Sequence, residues 1–299
     1  MFTSCSRRAF LAALSLPTWA QSTKLTTVAP GVWFRRGFAN TMIVEMKDYL
    51  VVVDSGMKAT AEATRADCQA LSPKPVKYVF ITHHHFDHVD GNPVWTAAGA
   101  TTLAFAGVRA ELESQKQYEM PRQIIDGDSF TLDDGARRLE FHHYGWAHTR
   151  GDGFLYLPKE HVLCTGDTVV NGPYNSFMHS DPRAWPGVIA KLEKLGARHV
   201  LPGHGQPGGT ELLSGQRAFI EALTAAIGQA IQQGKKIEEL IEMKDGKPTV
   251  SRLVLPPACD RWAKDSFAPP SDEWPLPSPS SGRQVTHVYQ KLASPSRAS

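Results

Sequence analysis

The stretch YVFITHHHFDHVDGN, residues 78–92, places four of the chain's twelve histidines and two aspartates directly after an apolar run. The run reads as a β-strand, and alternate residues of an extended chain project to the same side. His83 and His85 therefore face one direction. His84 faces the other, where it reads as a packing or hydrogen-bonding residue. Asp87 and His88 follow once the chain has begun to turn, which lets them approach a neighbouring position from another side, and Gly91 permits tight backbone there.

Three isolated residues elsewhere occupy similar positions. His148 lies in GWAHTRGD after the strand holding Phe141, Asp167 lies in LCTGDT after EHVLC, and His204 lies in LPGHGQ after RHVL. Each follows a strand and has a glycine nearby. Donors gathered from loops at one end of a sheet are what an open metal site on a rigid scaffold requires. Imidazole and carboxylate donors without cysteine suit zinc first, with iron or manganese chemically acceptable.

The rest of the chain supplies the layers. GVWFRRG, TMIVEMKD and YLVVVDSG read as successive strands, followed by a helix from Lys58 to Leu71, a break at SPKP and the strand KYVFIT. Further strands are predicted in TTLAFA, RRLEFHHY, GFLYLP, EHVLCT and RHVLPG. Apolar stripes at helical spacing, Trp185–Val188–Ile189–Leu192–Leu195 and Phe219–Leu223–Ile227–Ile231, read as core faces. This alternation is that of a layered α/β protein.

Composition narrows the function. The 299 residues are 41% hydrophobic, enough for one large core. A net charge of +2, from 32 basic and 30 acidic residues without basic blocks, argues against a nucleic-acid partner. The N-terminus MFTSCSRRAFLAALSLPTWAQS reads as a cleavable export signal over residues 1–20, and its SRRAFL core resembles the twin-arginine type. A periplasmic location follows, with no membrane anchor in the mature form. Residues 21–255 read as the main domain. Residues 256–299 read as a Pro/Ser-rich extension, extended or mobile from Pro256 to Pro279. Cys68, Cys164 and Cys259 are too scattered for a disulfide framework.

In the order HHHFDH, AHTRGD, TGDT and PGHG, the motifs resemble the metallo-β-lactamase superfamily from about Val28 to Gly208, in particular its glyoxalase-II-like hydrolases. The subgroup most similar is that of exported relatives associated with periplasmic quinoprotein systems. The resemblance implies an αβ/βα four-layer sandwich with two mixed β-sheets. It also implies a first metal on His83, His85 and His148, a second on Asp87, His88 and His204, and Asp167 bridging both. Asp54, in VVVDSG, resembles the family's buried aspartate, accepting a hydrogen bond from a ligand or loop behind the site.

Two zinc ions about 3.5–4 Å apart can share a water and present hydroxide to a carbonyl. Asp87 then doubles as the catalytic group that orients it and shuttles its proton. The implied activity is hydrolysis of a small-molecule ester, thioester, lactone or amide. A periplasmic β-lactamase is the rival, weakened because well-known zinc lactamases carry cysteine where this chain has Asp167. An iron-dependent oxygenase or a non-catalytic metal-binding accessory protein on the same fold is the other alternative. Substrate walls are expected from FRRGFANT, from Gln115 to Gln123 and from the loop after Asp167, with Tyr174, Asn175 and Phe177 as candidates. Trp33, Phe34 and Phe38 are expected either to flap over the site or to fill the core. Arg150 is expected near its entrance. His142, His143, His161, His179, His199 and His287 have no motif support, and His179 is the one whose loop overhangs the cavity.

Overall fold

Runs that are apolar at every position, such as LVVV at 50–53 and GFLYL at 153–157, mark strands covered on both faces. The computed structural model describes residues 25–263 and 280–294. In it, β1 (Leu25–Ala29), β2 (Val32–Arg35), β3 (Thr41–Glu45), β4 (Leu50–Val53), β5 (Val76–Phe80), β6 (Thr101–Phe105) and β7 (Gln123–Ile125) form one sheet in chain order. β1 to β4 pair antiparallel and β4 to β7 parallel. The parallel steps need crossovers. Those after β4 and β5 are α1 (Lys58–Leu71), then α2 (Phe86–Val89) with α3 (Asn92–Ala97), and α4 (Ala106–Leu112) precedes β7.

The second sheet has the order β12-β11-β10-β9-β8, built from β8 (Ser129–Asp133), β9 (Arg138–His143), β10 (Gly153–Leu157), β11 (Val162–Gly166) and β12 (His199–Pro202). Its pairs are antiparallel except β11–β12, whose crossover carries α5 (Trp185–Glu193). α6 (Glu211–Gln232), α7 (Ile237–Leu240), the hairpin β13 (Ile241–Lys244) and β14 (Lys247–Ser251), α8 (Asp260–Ala263) and α9 (Ser281–Ala293) follow.

Alternation along each strand divides the core into layers. Val51, Val53, Phe80 and Phe105 of the first sheet meet Phe141, Leu155, Leu157 and Leu201 of the second. Their neighbours Leu50, Val52, Val79 and Ala104 turn outward beneath Ala61, Cys68, Trp95 and Val108 of the helices. Phe154, Tyr156, Leu163 and Val200 face outward from the second sheet against Trp185, Ile189, Leu212 and Phe219. Helix, sheet, sheet and helix are thus stacked as expected, with two mixed sheets.

The C-terminal region departs from its compositional reading. The described part of the Pro256–Pro279 stretch is a 3-10 turn at Pro257–Cys259 running into α8, with Cys259 and Trp262 buried. Proline is compatible with a first helical turn, so its frequency misleads there. Trp262 Nε1 donates to the Val170 carbonyl at 2.8 Å. α9 belongs to the main core: Val285 and Val288 join the cluster that holds Phe219 and Leu223. Ser280 caps its N-terminus, accepting from the Arg283 N–H, and Arg183 donates to the Lys291 and Leu292 carbonyls at its far end. The export segment lies outside the described residues. Among those described, no helix is long and apolar enough to cross a membrane.

Candidate metal centre

β4 and β5 are parallel neighbours, so their C-terminal ends open at one edge of the first sheet. β9, β11 and β12 run in a common direction in the second sheet, and their C-terminal ends open together as well. Asp54 follows β4, His83–His88 follow β5, His148 follows β9, Asp167 follows β11 and His204 follows β12. The topology therefore gathers residues dispersed over 150 positions of sequence.

Two groups result. His83, His85, His148 and Asp167 offer donor atoms within 4.8 Å of one another, and so do Asp87, His88 and His204. His85 precedes α2, while Asp87 and His88 lie on its single turn, which turns them toward the second group. Asp167 lies between the groups: Oδ2 is 3.7 Å from His83 Nε2, 3.6 Å from His148 Nε2 and 3.1 Å from His204 Nε2, and Oδ1 is 3.3 Å from His88 Nε2. Asp87 Oδ2 lies 3.3 Å from His204 Nε2 and 3.6 Å from His88 Nε2. His85 turns Nδ1 to the first group, 3.0 Å from His148 Nε2.

The residues fit a divalent metal. His83 Nε2, His88 Nε2 and Asp167 Oδ1 are buried without a hydrogen-bond partner, a costly arrangement unless a cation is shared among them. Without one, the charges divide the site. Burial drives His83 and His85 well below the ordinary imidazole range, helped by adjacent imidazoles, and pushes His148 down to about 4. Burial acts against protonation of His88 and His204 too, yet carboxylates prevail. Asp54, Asp167 and Asp87 hold His88 well above its usual value, and Asp167 and Asp87 lift His204 to about 9. Burial also opposes the charge of Asp167, but His204, His88 and His83 hold its carboxyl well below the usual range.

The metallo-beta-lactamase superfamily profile matches residues 34–204, more than half of the chain. The chain belongs to the metallo-beta-lactamase superfamily. A metallo-beta-lactamase type 2 from Bacteroides fragilis is 27% identical over 147 residues, covering 47% of this chain and 58% of that protein. A hydroxyacylglutathione hydrolase from Brucella anthropi is 34% identical over 128 residues, covering 42% of this chain and 46% of its own. The chain thus spans about half the length of these curated relatives. The solved metallo-beta-lactamase from Pontibacter korlensis shares the fold, with a TM-score of 0.63 and 23% identity over 67% of this chain and 99% of that one.

Within this superfamily fold, the groups behind the site are specific. Asp54 has a left-handed backbone, φ 64°, which aims its carboxylate back at the centre. It accepts from the Thr82 N–H at 2.8 Å and the Thr82 hydroxyl at 2.9 Å, and lies 2.7 Å from His88 Nδ1. His204 Nδ1 sits 2.5 Å from the Phe38 carbonyl. Asn40 Nδ2 donates to the Pro202 and Gly205 carbonyls, both at 2.9 Å, tying FRRGFANT to the His204 loop. Thr149 N–H and hydroxyl both donate to Asp152, bracing the turn that carries His148. Burial raises Asp152 to about 7.

A cavity of about 370 Å³ opens on the centre beside Asp87, Asp167 and His204. Phe38, Gln115, Tyr118, Tyr174, Asn175 and Phe177 line it, from the three segments the sequence singles out. Phe34 fills the intersheet core and Trp33 packs partly buried on the outer helical layer, so of the three aromatics only Phe38 reaches the cavity. Arg150 does not line it; its guanidinium stacks 3.9 Å from the Trp146 ring centroid. His84 points away from the first group, as alternation requires, and lines the cavity. Asp90 stays outside both groups and accepts from the Lys58 N–H at the start of α1.

Of His179 the sequence reading gave only the overhanging loop; its place on the cavity wall agrees with that, while its Nδ1 contact with His85 Nε2 at 2.9 Å and the α9 residues Arg283, Gln284 and His287 on the same wall were missed. For α9 a signal existed. Val285, Val288, Tyr289 and Leu292 follow helical spacing after a serine cap.

Proposed function

We propose that this protein is a dinuclear zinc hydrolase that cleaves a small ester, thioester, lactone or amide, after export to the periplasm. The observation that carries the reading is the pair of donor groups meeting at Asp167. His83, His85 and His148 would hold one ion, Asp87, His88 and His204 the other, and Asp167 would contribute to both. Ions held there supply a water of lowered pKa and a Lewis acid for the substrate carbonyl. The protein's part is to fix the donors and manage the proton. Asp54 holds His88 with Nε2 facing the centre, the Phe38 carbonyl does the same for His204, and Asp87, a residue of the cavity wall, would orient the nucleophile and carry its proton to the leaving group.

The cavity suggests the substrate class. Phe38, Phe86, Tyr118, Phe177 and Met178 make apolar walls, and Arg283 enters from α9 with no ion-pair partner among the described residues. We assign an apolar acyl compound bearing a carboxylate or similar anion. The name of the Brucella relative supports thioester chemistry. The names of the Bacteroides and Pontibacter proteins favour a second reading, β-lactam hydrolysis, which the carboxylate at Asp167 disfavours. Export rests on the SRRAFL motif. A chromogenic cephalosporin, a lactone and a thioester, each offered to wild type and to His88→Ala, test the proposal. Turnover of at least one acyl substrate that His88→Ala strongly reduces supports it. A metal-loaded protein inert to all three, or one that consumes oxygen with iron bound, contradicts it.

A further inference from the structure

Next to the proposed dinuclear centre lies a third group of nitrogen donors. His84, His85 and His179 bring their ligating atoms within 4.8 Å of one another. His85 stands between the two sites, Nδ1 on the first group and Nε2 2.9 Å from His179 Nδ1. The ring centroids of His84 lie 4.8 Å from His85 and 4.9 Å from His179.

His84 supplies an independent observation. Its side chain is 1% exposed, and both Nδ1 and Nε2 are buried without any hydrogen-bond partner. An imidazole with neither nitrogen satisfied is an unusual thing to bury. No ion-pair carboxylate touches it among the described residues. The local backbone keeps His179 in place, because its carbonyl accepts from Trp146 Nε1 at 2.7 Å.

We propose that His84, His85 and His179 form a further binding site for a divalent transition-metal ion of borderline softness, with zinc as the reference ion. All-imidazole donors select such ions and offer nothing to magnesium or calcium, which take oxygen ligands. When the ion binds, the proton between His85 Nε2 and His179 Nδ1 leaves to water. His85 then bridges the ion to the first group, with one proton released per ion. The site opens on the substrate cavity, whose wall includes all three residues. Excess zinc therefore occupies space that a substrate needs.

The site rests on the dinuclear reading only through His85, and the test separates the two. Zinc uptake is measured by equilibrium dialysis at rising free zinc, with 5 mM-scale magnesium as a contrast (roughly a physiological excess of an oxygen-seeking ion). Wild type, His84→Phe and His179→Ala are compared. The phenylalanine keeps the volume of His84 and removes its nitrogens, and retention of the tightly held zinc reports that each variant is folded. The expected result is one more weakly held zinc per chain in wild type than in His84→Phe, with a proton released as it binds and no displacement by magnesium. Equal uptake by wild type and His84→Phe overturns the site, as does ready displacement by magnesium. If His179→Ala also loses tight zinc by disturbing His85, His84→Phe decides. If the dinuclear reading is wrong, the tight count changes in all the proteins, while the difference of one weak equivalent remains.

Discussion

Asp54 Oδ2 lies 2.7 Å from His88 Nδ1, with both residues buried. The contact links the end of β4 to the helical turn after β5 and leaves His88 Nε2 as the nitrogen that faces Asp167. Asp54→Asn keeps the shape but removes the charge behind the ring. Zinc affinity is expected to fall about 10–100-fold at the group containing His88, measured by competition with a chromophoric chelator. An unchanged affinity would mean that Asp54 merely shapes its turn.

The two groups should respond differently to pH. His83, His85 and His148 are neutral over the working range because burial lowers them, so zinc binds there without displacing imidazolium protons. His88 and His204 carry protons in the metal-free protein, His204 up to about 9. Those protons must leave on binding, so affinity at the second group rises as pH rises toward 9, by about tenfold per unit for each proton displaced. Chelator competition between pH 6 and 9, values chosen roughly to bracket the neutral imidazole range, should give one steep and one shallow profile. Parallel profiles would contradict the division of charge.

Arg283 should act on substrate binding. Arg283→Ala is expected to raise KM about three- to tenfold for a substrate carrying a carboxylate and to leave its neutral ester little affected, with kcat nearly constant. Steady-state kinetics on the matched pair checks this. Equal effects on both substrates would remove the anion preference.

Gly91 has an ordinary φ of −78°, so its role lies in space and not in left-handed backbone. A Cβ there would sit 2.3 Å from the Ser55 carbonyl oxygen and 2.8 Å from Ala61 Cβ. Gly91→Ala should lose about 1–3 kcal/mol in urea denaturation, since backbone must shift to make room. A loss near zero would show that the α2–α3 turn yields easily.

Much of this was legible because strand ends and special residues coincide. Asp167 follows a strand buried at every position, His83, His148 and His204 follow strands that are buried in part, and alternation separates His84 from its neighbours without reference to the fold. The Lys58–Leu71 helix is bounded by a glycine turn before it and SPKP after it, so its limits agree with the structure. For His179 the overhanging loop was legible and the contact with His85 was not. Its partner His85 is 94 residues away, and nothing periodic links them. α9 was hidden for a different reason. Proline and serine dominate the segment before it, and composition averaged over that stretch conceals a short amphipathic helix whose buried face is Val285 and Val288.

A dinuclear hydrolase built on these donors requires that two zinc ions share Asp167 and that both are needed for hydrolysis. Zinc content and turnover, measured on the same dialysed samples of wild type and His88→Ala, address it most directly. Two tightly held zinc ions per wild-type chain are expected, one in His88→Ala, with a loss of acyl-substrate turnover in the variant of about a hundredfold or more. A single zinc in wild type, or a variant with one zinc and undiminished turnover, would contradict it.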